Sequence, residues 1–293
     1  MKVIHTVASL NEALAPYRFS GAPVGFVPTM GALHEGHATL VRQCVSENKV
    51  CVVSVFVNPT QFNNREDLRL YPRTLEADCE LLKKLGVTFV FAPSEEEMYP
   101  TPDTRVFDFG ALDKVMEGRF RSGHFNGVAQ VVSRLFDIVK PNAAYFGEKD
   151  FQQLAIVREM TNLLDLPVRI VGAPTVRETS GLAMSSRNQR LSETEKTNAA
   201  EIYRILKKST EMIGTHSPAE VADFVIKSIN NVPGLRVEYF QIVDGSSLQS
   251  IWLWEDADYI VGCIAVFCGD VRLIDNIQYR EANIGEANYR ETQ

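Results

Sequence analysis

The sequence has 293 residues, of which 45% are hydrophobic and 23% charged, a balance typical of a soluble globular protein with a substantial core. Its 30 Lys and Arg residues against 37 Asp and Glu residues give a formal net charge of −7, which argues against a protein that mainly binds tRNA or duplex DNA. No apolar stretch reaches the ~20 residues of a membrane span, and no signal peptide is recognisable. The five cysteines form no Cys-x-x-Cys pair, so we expect reduced thiols and a cytoplasmic protein without nucleic-acid or membrane partners.

Strand and helix patterns alternate through the first 175 residues. Strands are predicted at residues 24–27, 50–57, 87–91, 143–146 and 168–171. Helices are predicted at residues 36–48, 74–85, 123–139 and 151–163. The strand at 50–57 is an almost unbroken apolar run, which is typical of a central parallel strand covered on both faces. The alternation predicts an α/β fold with a doubly wound parallel sheet, a Rossmann-like domain.

The pattern changes near Ser192, where two helices follow each other without a strand between them. They are predicted at residues 193–213 and 217–231, and three strands are predicted at 235–243, 259–267 and 271–277. This order is typical of a smaller α+β domain. We therefore divide the chain into domains at residues 1–180 and 181–293, and we expect the second domain to act as a lid.

The first candidate motif, residues 28–37 (PTMGALHEGH), comes directly after a predicted strand and opens a helix. Ligands bind at such places in open α/β sheets, and the first N–H groups of a helix suit an anion. His34 and His37 are three residues apart, whereas a His-Glu-x-x-His zinc site needs a spacing of four. They are either incidental surface histidines or N–H donors to phosphate oxygens.

The second motif, Asn58 and Gln61, follows the next predicted strand. Side-chain amides both donate and accept, so they can orient a hydroxy acid without adding charge. A turn at Asn58-Pro59 would explain Asn58 alone, but it would not explain Gln61.

The third motif, residues 146–150 (FGEKD), leads from a strand into a helix that carries Gln152 and Gln153. The helix dipole disfavours Lys149 at this position, and a bound anion would reverse that effect. The alternative is a solvated charged turn.

The fourth motif, residues 184–187 (MSSR), places two hydroxyl groups and a guanidinium group side by side, which suits phosphate oxygens. Arg121, in a basic cluster before the long helix, is another candidate anion contact. Three of the four motifs fall at the carboxyl ends of strands of one predicted sheet, so together they indicate a nucleotide and an acidic co-substrate. Neither a Walker loop nor a Gly-x-Gly-x-x-Gly motif is present in the sequence.

The motifs occur in ordered blocks: residues 28–37, 56–62 (FVNPTQF), 71–74 (YPRT), 146–153 (FGEKDFQQ) and 181–188 (GLAMSSRN). In this arrangement the sequence resembles the pantoate–β-alanine ligase family, part of the nucleotidyltransferase superfamily with a His-x-Gly-His-like motif. The resemblance implies a ligation in which ATP and pantoate form pantoyl adenylate and β-alanine then displaces AMP. It also implies Mg²⁺, a homodimer and small-molecule substrates.

The resemblance further implies roles for individual residues. Those expected to hold ATP are Met30, Gly31, Ala32, Leu33, His34, Glu35, Gly36, His37, Gly147, Glu148, Lys149, Asp150, Val176, Met184, Ser185, Ser186 and Arg187. The expected catalytic residues are His34, His37, Lys149 and Arg187. Gln61 and Gln153 are expected to bind pantoate, and Gln61, Asn58 and Arg121 to bind β-alanine. Asp78 is the candidate ligand of Mg²⁺, although Ala77 stands beside it where some relatives carry a second acid.

Three other classes remain open from the residues alone. An aminoacyl-tRNA synthetase fits the histidines but would need a surface for tRNA. A nucleotidyltransferase that makes a dinucleotide leaves Gln61 and Gln153 without a use. A nucleotide-binding module without catalysis would need neither the paired glutamines nor Lys149 at a helix start.

Overall fold

The computed structural model describes residues 1–63 and 65–281, and the chain divides into two compact units, Met1–Leu191 and Ser192–Gln293. Among the described residues, no helix is long and apolar enough to cross a membrane.

A six-stranded parallel sheet forms the centre of the first unit. Its strands are β1 (Lys2–Ile4), β2 (Val24–Thr29), β3 (Val50–Val55), β4 (Phe89–Phe91), β5 (Ala143–Gly147) and β6 (Arg169–Ala173). Their order across the sheet is β1-β4-β3-β2-β5-β6. From β2 the chain builds outward through β3 and β4, and it then returns to the other side of β2 for β5 and β6. The order therefore reverses between β2 and β5, and such a reversal opens a crevice at the carboxyl ends of the strands.

Helices cover both faces of this sheet. They are α1 (Val7–Phe19), α2 (Glu35–Glu47), α3 (Arg65–Leu70), α4 (Leu75–Lys84), α5 (Glu95–Met98), α6 (Met116–Phe120), α7 (His124–Val139) and α8 (Phe151–Leu163). Phe26 and Val52 belong to one buried cluster, with side chains of α1 and α7. Their chain neighbours Val27 and Val53 belong to a second cluster, with side chains of α2 and α4. Successive strand residues point to opposite faces, so both faces are apolar and the predicted doubly wound α/β fold is confirmed.

The second unit is an α+β arrangement, as predicted. Helices α9 (Glu193–Ser209) and α10 (Pro218–Asn230) precede an antiparallel sheet of β7 (Leu235–Asp244), β8 (Ile260–Cys268) and β9 (Val271–Arg280) in that order. Ser192 and Ser217 start the two helices with capping boxes, each pairing with a Glu three residues on.

The division at Leu191 falls later in the chain than the boundary predicted at residue 180. The intervening segment packs with the first unit: Arg177 pairs with Ala183 in a short antiparallel bridge, and Ser186 Oγ donates to the carbonyl oxygen of Ala32 at 3.2 Å. Residues 282–293, the end of the predicted second domain, lie outside the described residues.

Candidate active site

One cleft lies at the point where the strand order reverses, and it belongs entirely to the first unit. The ends of β2, β3 and β5 and the segment after β6 line it. Of the predicted site residues, the cleft is lined by Met30, His34, Gly36, His37, Asn58, Gln61, Gly147, Lys149, Asp150, Gln153, Val176, Met184, Ser185, Ser186 and Arg187. Among the described residues, the predicted ones that lie outside the lining are Gly31, Ala32, Leu33, Glu35, Glu148, Asp78 and Arg121. All four motifs therefore meet in one place.

The turn between β2 and α2 is held in an unusual conformation. Gly31 and Ala32 have φ angles of 83° and 50°, in the left-handed region that costs a residue with a side chain free energy. The carboxylate of Asp78, 3% exposed on α4, supports this turn. Its Oδ2 accepts the N–H of Ala32 at 3.0 Å, and its Oδ1 accepts the N–H of Leu33 at 2.8 Å. Asp78 thus fixes the backbone that presents the two histidines.

His34 and His37 form the capping box of α2. Nδ1 of His34 accepts the N–H of Gly36 at 3.1 Å, and Nδ1 of His37 accepts the N–H of His34 at 3.3 Å. The rings lie 4.1 Å apart between centroids. Gly36 makes room for this fold, because a Cβ there would lie 2.9 Å from Cε1 of His34. With Nδ1 used as an acceptor, each neutral ring carries its proton on Nε2.

Burial, more than the neighbouring charges, favours the neutral form of both imidazoles. Burial, with Lys149 nearby, lowers the pKa of His34 to about 4. Burial, with the neighbouring His34 and then Lys149, lowers the pKa of His37 to about 3. At neutral pH the pair therefore offers N–H donors without adding positive charge.

Lys149 and Arg187 reach the same cleft from two different segments. Lys149 lies in a single 3-10 turn between β5 and α8. Arg187 lies in another short 3-10 turn, where its N–H donates to Ser185 Oγ at 3.3 Å. Asn188 anchors that turn, because its Nδ2 donates to Glu178 Oε1 at 2.9 Å.

Gln61 and Asn58 follow β3 and lie side by side. Nδ2 of Asn58 is 3.3 Å from Oε1 of Gln61, and Nε2 of Gln61 is 3.0 Å from the sulfur of Met30. Arg121 is half-buried, and its guanidinium contacts Glu117 at 3.3 Å and the carbonyl oxygen of Gln61 at 3.5 Å.

One wall of the cleft consists of residues for which no site role was predicted. Val128, Val131, Val132 and Leu135, all on α7, line it. Their spacing of i, i+3, i+4 and i+7 does predict one apolar helix face. It cannot tell whether that face meets the sheet or a ligand. Thr29 and Tyr71 also line the cleft and had no predicted role of their own.

In residues 1–63 and 65–281, no group of three or more His, Cys, Asp or Glu side chains is arranged to hold an ion. Both oxygens of Asp78 already accept backbone N–H groups, and Thr74 Oγ1 lies 3.3 Å from Oδ2.

The chain is similar to known proteins along almost its whole length. A family model described as pantoate-beta-alanine ligase matches residues 2–278. The pantothenate synthetase of Bacteroides thetaiotaomicron is 61% identical over 281 residues, 96% of this chain and 100% of that protein. That of Porphyromonas gingivalis is 57% identical with the same coverage. This chain belongs to the pantoate–β-alanine ligase family.

Solved structures of this ligase family share the fold. Pantothenate synthetase from Thermus thermophilus superposes with a TM-score of 0.90 at 46% identity, covering 96% of this chain and 100% of that one. Pantoate-beta-alanine ligase from Francisella tularensis gives a TM-score of 0.81 at 35% identity, covering 95% and 98%. The Francisella structure is complexed with beta-gamma ATP and beta-alanine. The family resemblance of the five sequence blocks is thus confirmed.

Proposed function

We propose that this protein joins pantoate to β-alanine with ATP, forming pantothenate, AMP and pyrophosphate through a pantoyl adenylate intermediate. The observation that carries the proposal is the single cleft in which His34, His37, Lys149 and Arg187 stand beside Gln61 and Gln153. The first four suit phosphate oxygens, and the paired amides suit a small hydroxy acid. The family match supports the same reaction.

In the first step, a pantoate carboxylate oxygen attacks the α-phosphorus of ATP and pyrophosphate leaves. Both reactants are anions, so the site must neutralise charge where it increases. Lys149 and Arg187 supply fixed positive charge, and the Nε2–H groups of His34 and His37 donate to phosphate oxygens. The Gly147–Asp150 turn and the Met184–Arg187 turn hold the nucleotide, with Val176 against the adenine through its backbone.

Pantoate carries a carboxylate, two hydroxyl groups and two methyl groups, and the cleft offers a partner for each kind. Gln61 and Gln153 hold the oxygens. The α7 wall of Val128, Val131, Val132 and Leu135 covers the methyl groups.

In the second step, the amine of β-alanine attacks the acyl carbon of the adenylate and AMP leaves. The acyl phosphate is already activated, so holding the amine close accounts for most of the rate. Gln61 and Asn58 line the cleft, Arg121 contacts the carbonyl oxygen of Gln61 from outside that lining, and we assign β-alanine to these three residues.

Mg²⁺ belongs to the proposal as the ion that accompanies ATP. It binds mainly to phosphate oxygens and keeps several waters, so it needs only one or two protein carboxylates. Among the described residues, the side chains do not form a Mg²⁺ site from protein ligands alone. That Asp78 binds Mg²⁺ stays a prediction. Its hydrogen bonds favour a different role, in which it stabilises the turn at Gly31 and Ala32.

The assembly and the compartment are also part of the proposal. We infer a homodimer in the cytoplasm that acts on pantoate, β-alanine and ATP, without a nucleic-acid or membrane partner. The free cysteines support the compartment and the negative net charge supports the absence of a nucleic-acid partner, while the homodimer rests on the family resemblance alone. Size-exclusion chromatography with light scattering tests the oligomeric state.

Exchange of labelled pyrophosphate into ATP tests the reaction. Exchange should require pantoate and Mg²⁺ and should proceed without β-alanine, because the adenylate forms first. Adding β-alanine should then release AMP in a one-to-one ratio with pantothenate. Exchange that depends strictly on β-alanine would reject the two-step order.

A further inference from the structure

Asn58 is 1% exposed, and its neighbours fix the orientation of its side-chain amide. Its Nδ2 lies 3.2 Å from the carbonyl oxygen of Gly127 on α7. A carbonyl oxygen can only accept, so the Asn58 atom that faces it must be the amide nitrogen. Residue 127 can approach this closely because it is glycine: a Cβ there would lie 2.5 Å from the carbonyl oxygen of Thr60.

The orientation of the Asn58 amide determines how two further side chains, those of Tyr99 and Gln61, form hydrogen bonds with it. Oδ1 of Asn58 faces the hydroxyl of Tyr99 at 2.9 Å, so that hydroxyl donates. Burial raises the pKa of Tyr99, so the hydroxyl keeps its proton. Nδ2 of Asn58 can only donate, and Oε1 of Gln61, 3.3 Å away, shares its two hydrogens with two other acceptors, the carbonyl oxygen of Gly127 and Thr60 Oγ1. Thr60 Oγ1 also contacts both ends of the Asn58 amide, at 3.0 and 3.2 Å.

Because Oε1 of Gln61 faces Asn58, only the Nε2–H₂ group of Gln61 is directed toward a ligand. In the structure this nitrogen lies against the sulfur of Met30, a weak acceptor that a substrate oxygen can replace. A donor at this place suits an oxygen with lone pairs, such as a carboxylate or hydroxyl oxygen of pantoate. Were the Asn58 amide to turn over, Gln61 would turn with it and present an acceptor instead.

We propose that Tyr99 is a positioning residue for the hydroxy acid: by donating to Asn58 it locks Gln61 with its amide nitrogen toward the substrate. The inference rests on the proposed function, since it assigns pantoate to Gln61. Tyr99 itself lies outside the lining of the cleft as the described residues form it. It therefore acts through Asn58 and not by touching the substrate.

Tyr99→Phe removes the one hydroxyl and keeps the ring. The KM for pantoate in pyrophosphate exchange should rise about fivefold, the scale of one neutral hydrogen bond, while kcat and the KM for ATP change less than about twofold. In a Gln61→Ala background, Tyr99→Phe should raise the KM for pantoate no further, because the residue through which it acts is gone. Asn58→Asp, which cannot donate to Gln61, should raise that KM at least as much as Tyr99→Phe.

Tyr279→Phe is the matched control. Tyr279 is a buried tyrosine of the second unit whose hydroxyl lies 2.6 Å from Ser209 Oγ, and its loss should leave the KM for pantoate unchanged. An unchanged KM for pantoate in Tyr99→Phe, an additive effect in the Gln61→Ala background, or equal losses in both KM values and kcat would overturn the inference. A wild-type protein without pantoate-dependent exchange would instead reject the proposed function, and the inference with it.

Discussion

Both histidines at the start of α2 accept a backbone N–H at Nδ1, and this determines which ring nitrogen can bind a ligand. A ring that caps its own helix cannot also use Nδ1 as a base, so Nε2–H is what remains for a ligand. The lowered pKa values of His34 and His37 agree with this, because a neutral ring is needed to accept at Nδ1. Nε2–H of each ring is therefore the donor that we propose for the charge that develops on phosphate.

His37→Ala and Lys149→Ala should each slow adenylate formation roughly 10²–10³-fold, the usual scale for one lost transition-state donor. Single-turnover formation of pyrophosphate measures this, and far-UV circular dichroism should stay native. The exposed residues His216 and Lys227 of the second unit offer the controls His216→Ala and Lys227→Ala, with rates near wild type. A variant at residue 37 or 149 with the full rate would show that its assignment is wrong.

We expect His124 to make the free energy of unfolding depend on pH. It is 5% exposed, and burial, with Arg121 nearby, lowers its pKa to about 4. The unfolded chain takes up this proton near pH 6.5 and the folded protein only near pH 4, so the free energy of unfolding falls as the pH falls through this window. His124→Asn should reduce that slope by up to about 1.4 kcal/mol per pH unit between about pH 6 and 4.5.

Urea unfolding at a series of pH values measures the slope. The comparison at about pH 7.5 gives the cost of the substitution itself, because both states then hold a neutral ring. Equal slopes for the variant and the wild type would contradict a lowered pKa for His124.

The turn between β2 and α2 depends on a helix far along the chain. Asp78, on α4, accepts two backbone N–H groups of this turn, which includes Ala32 in the left-handed region. Asp78→Ala should lower the free energy of unfolding by about 3 kcal/mol and raise the KM for ATP, because hydrogen bonds to a charged acceptor contribute about 1.5–3 kcal/mol each.

A titration with Mg²⁺ separates this role from metal binding. If Asp78 holds the turn, excess Mg²⁺ will not restore the KM for ATP in Asp78→Asn, whereas a lost metal ligand would be compensated in part. Glu76→Gln, an exposed acid in the same first turn of α4, should behave as wild type in both measurements.

The sequence predicts elements well where periodicity is strong and poorly where it is weak. The bounds of α8 match the prediction, and β2, β3 and β5 begin where their apolar runs begin. β1 and α1 were missed, because β1 has three residues and α1 contains Pro16 and fully buries only Leu10 and Leu14. The motif residues meet because strand ends in a parallel sheet share one edge. The contact of Gly127 with Asn58, by contrast, depends on how α7 packs, and no local pattern contains it.

The sheet order places the cleft between β2 and β5, and the lining of the cleft runs from Pro28 to Arg187 within the first unit. That the second unit acts as a lid stays a prediction. Protection from hydrogen exchange in β7, β8 and β9, measured with and without ATP and pantoate, would test whether it responds to substrate.

The net charge of −7 argues against an aminoacyl-tRNA synthetase. A polyanion as long as tRNA is repelled by a net acidic surface, whereas ATP and pantoate are small enough to reach a local positive site at Lys149 and Arg187. We therefore expect tRNA neither to stimulate nor to inhibit pantoate-dependent pyrophosphate exchange at physiological ionic strength. We also expect no standard amino acid to replace pantoate, because each carries an α-ammonium group where pantoate carries the α-hydroxyl that we assign to the paired amides, at a cost of roughly 10⁴-fold in kcat/KM. The measurement is exchange with each acid in turn, with and without tRNA, and exchange supported by an amino acid would favour a synthetase-like activity over ligation.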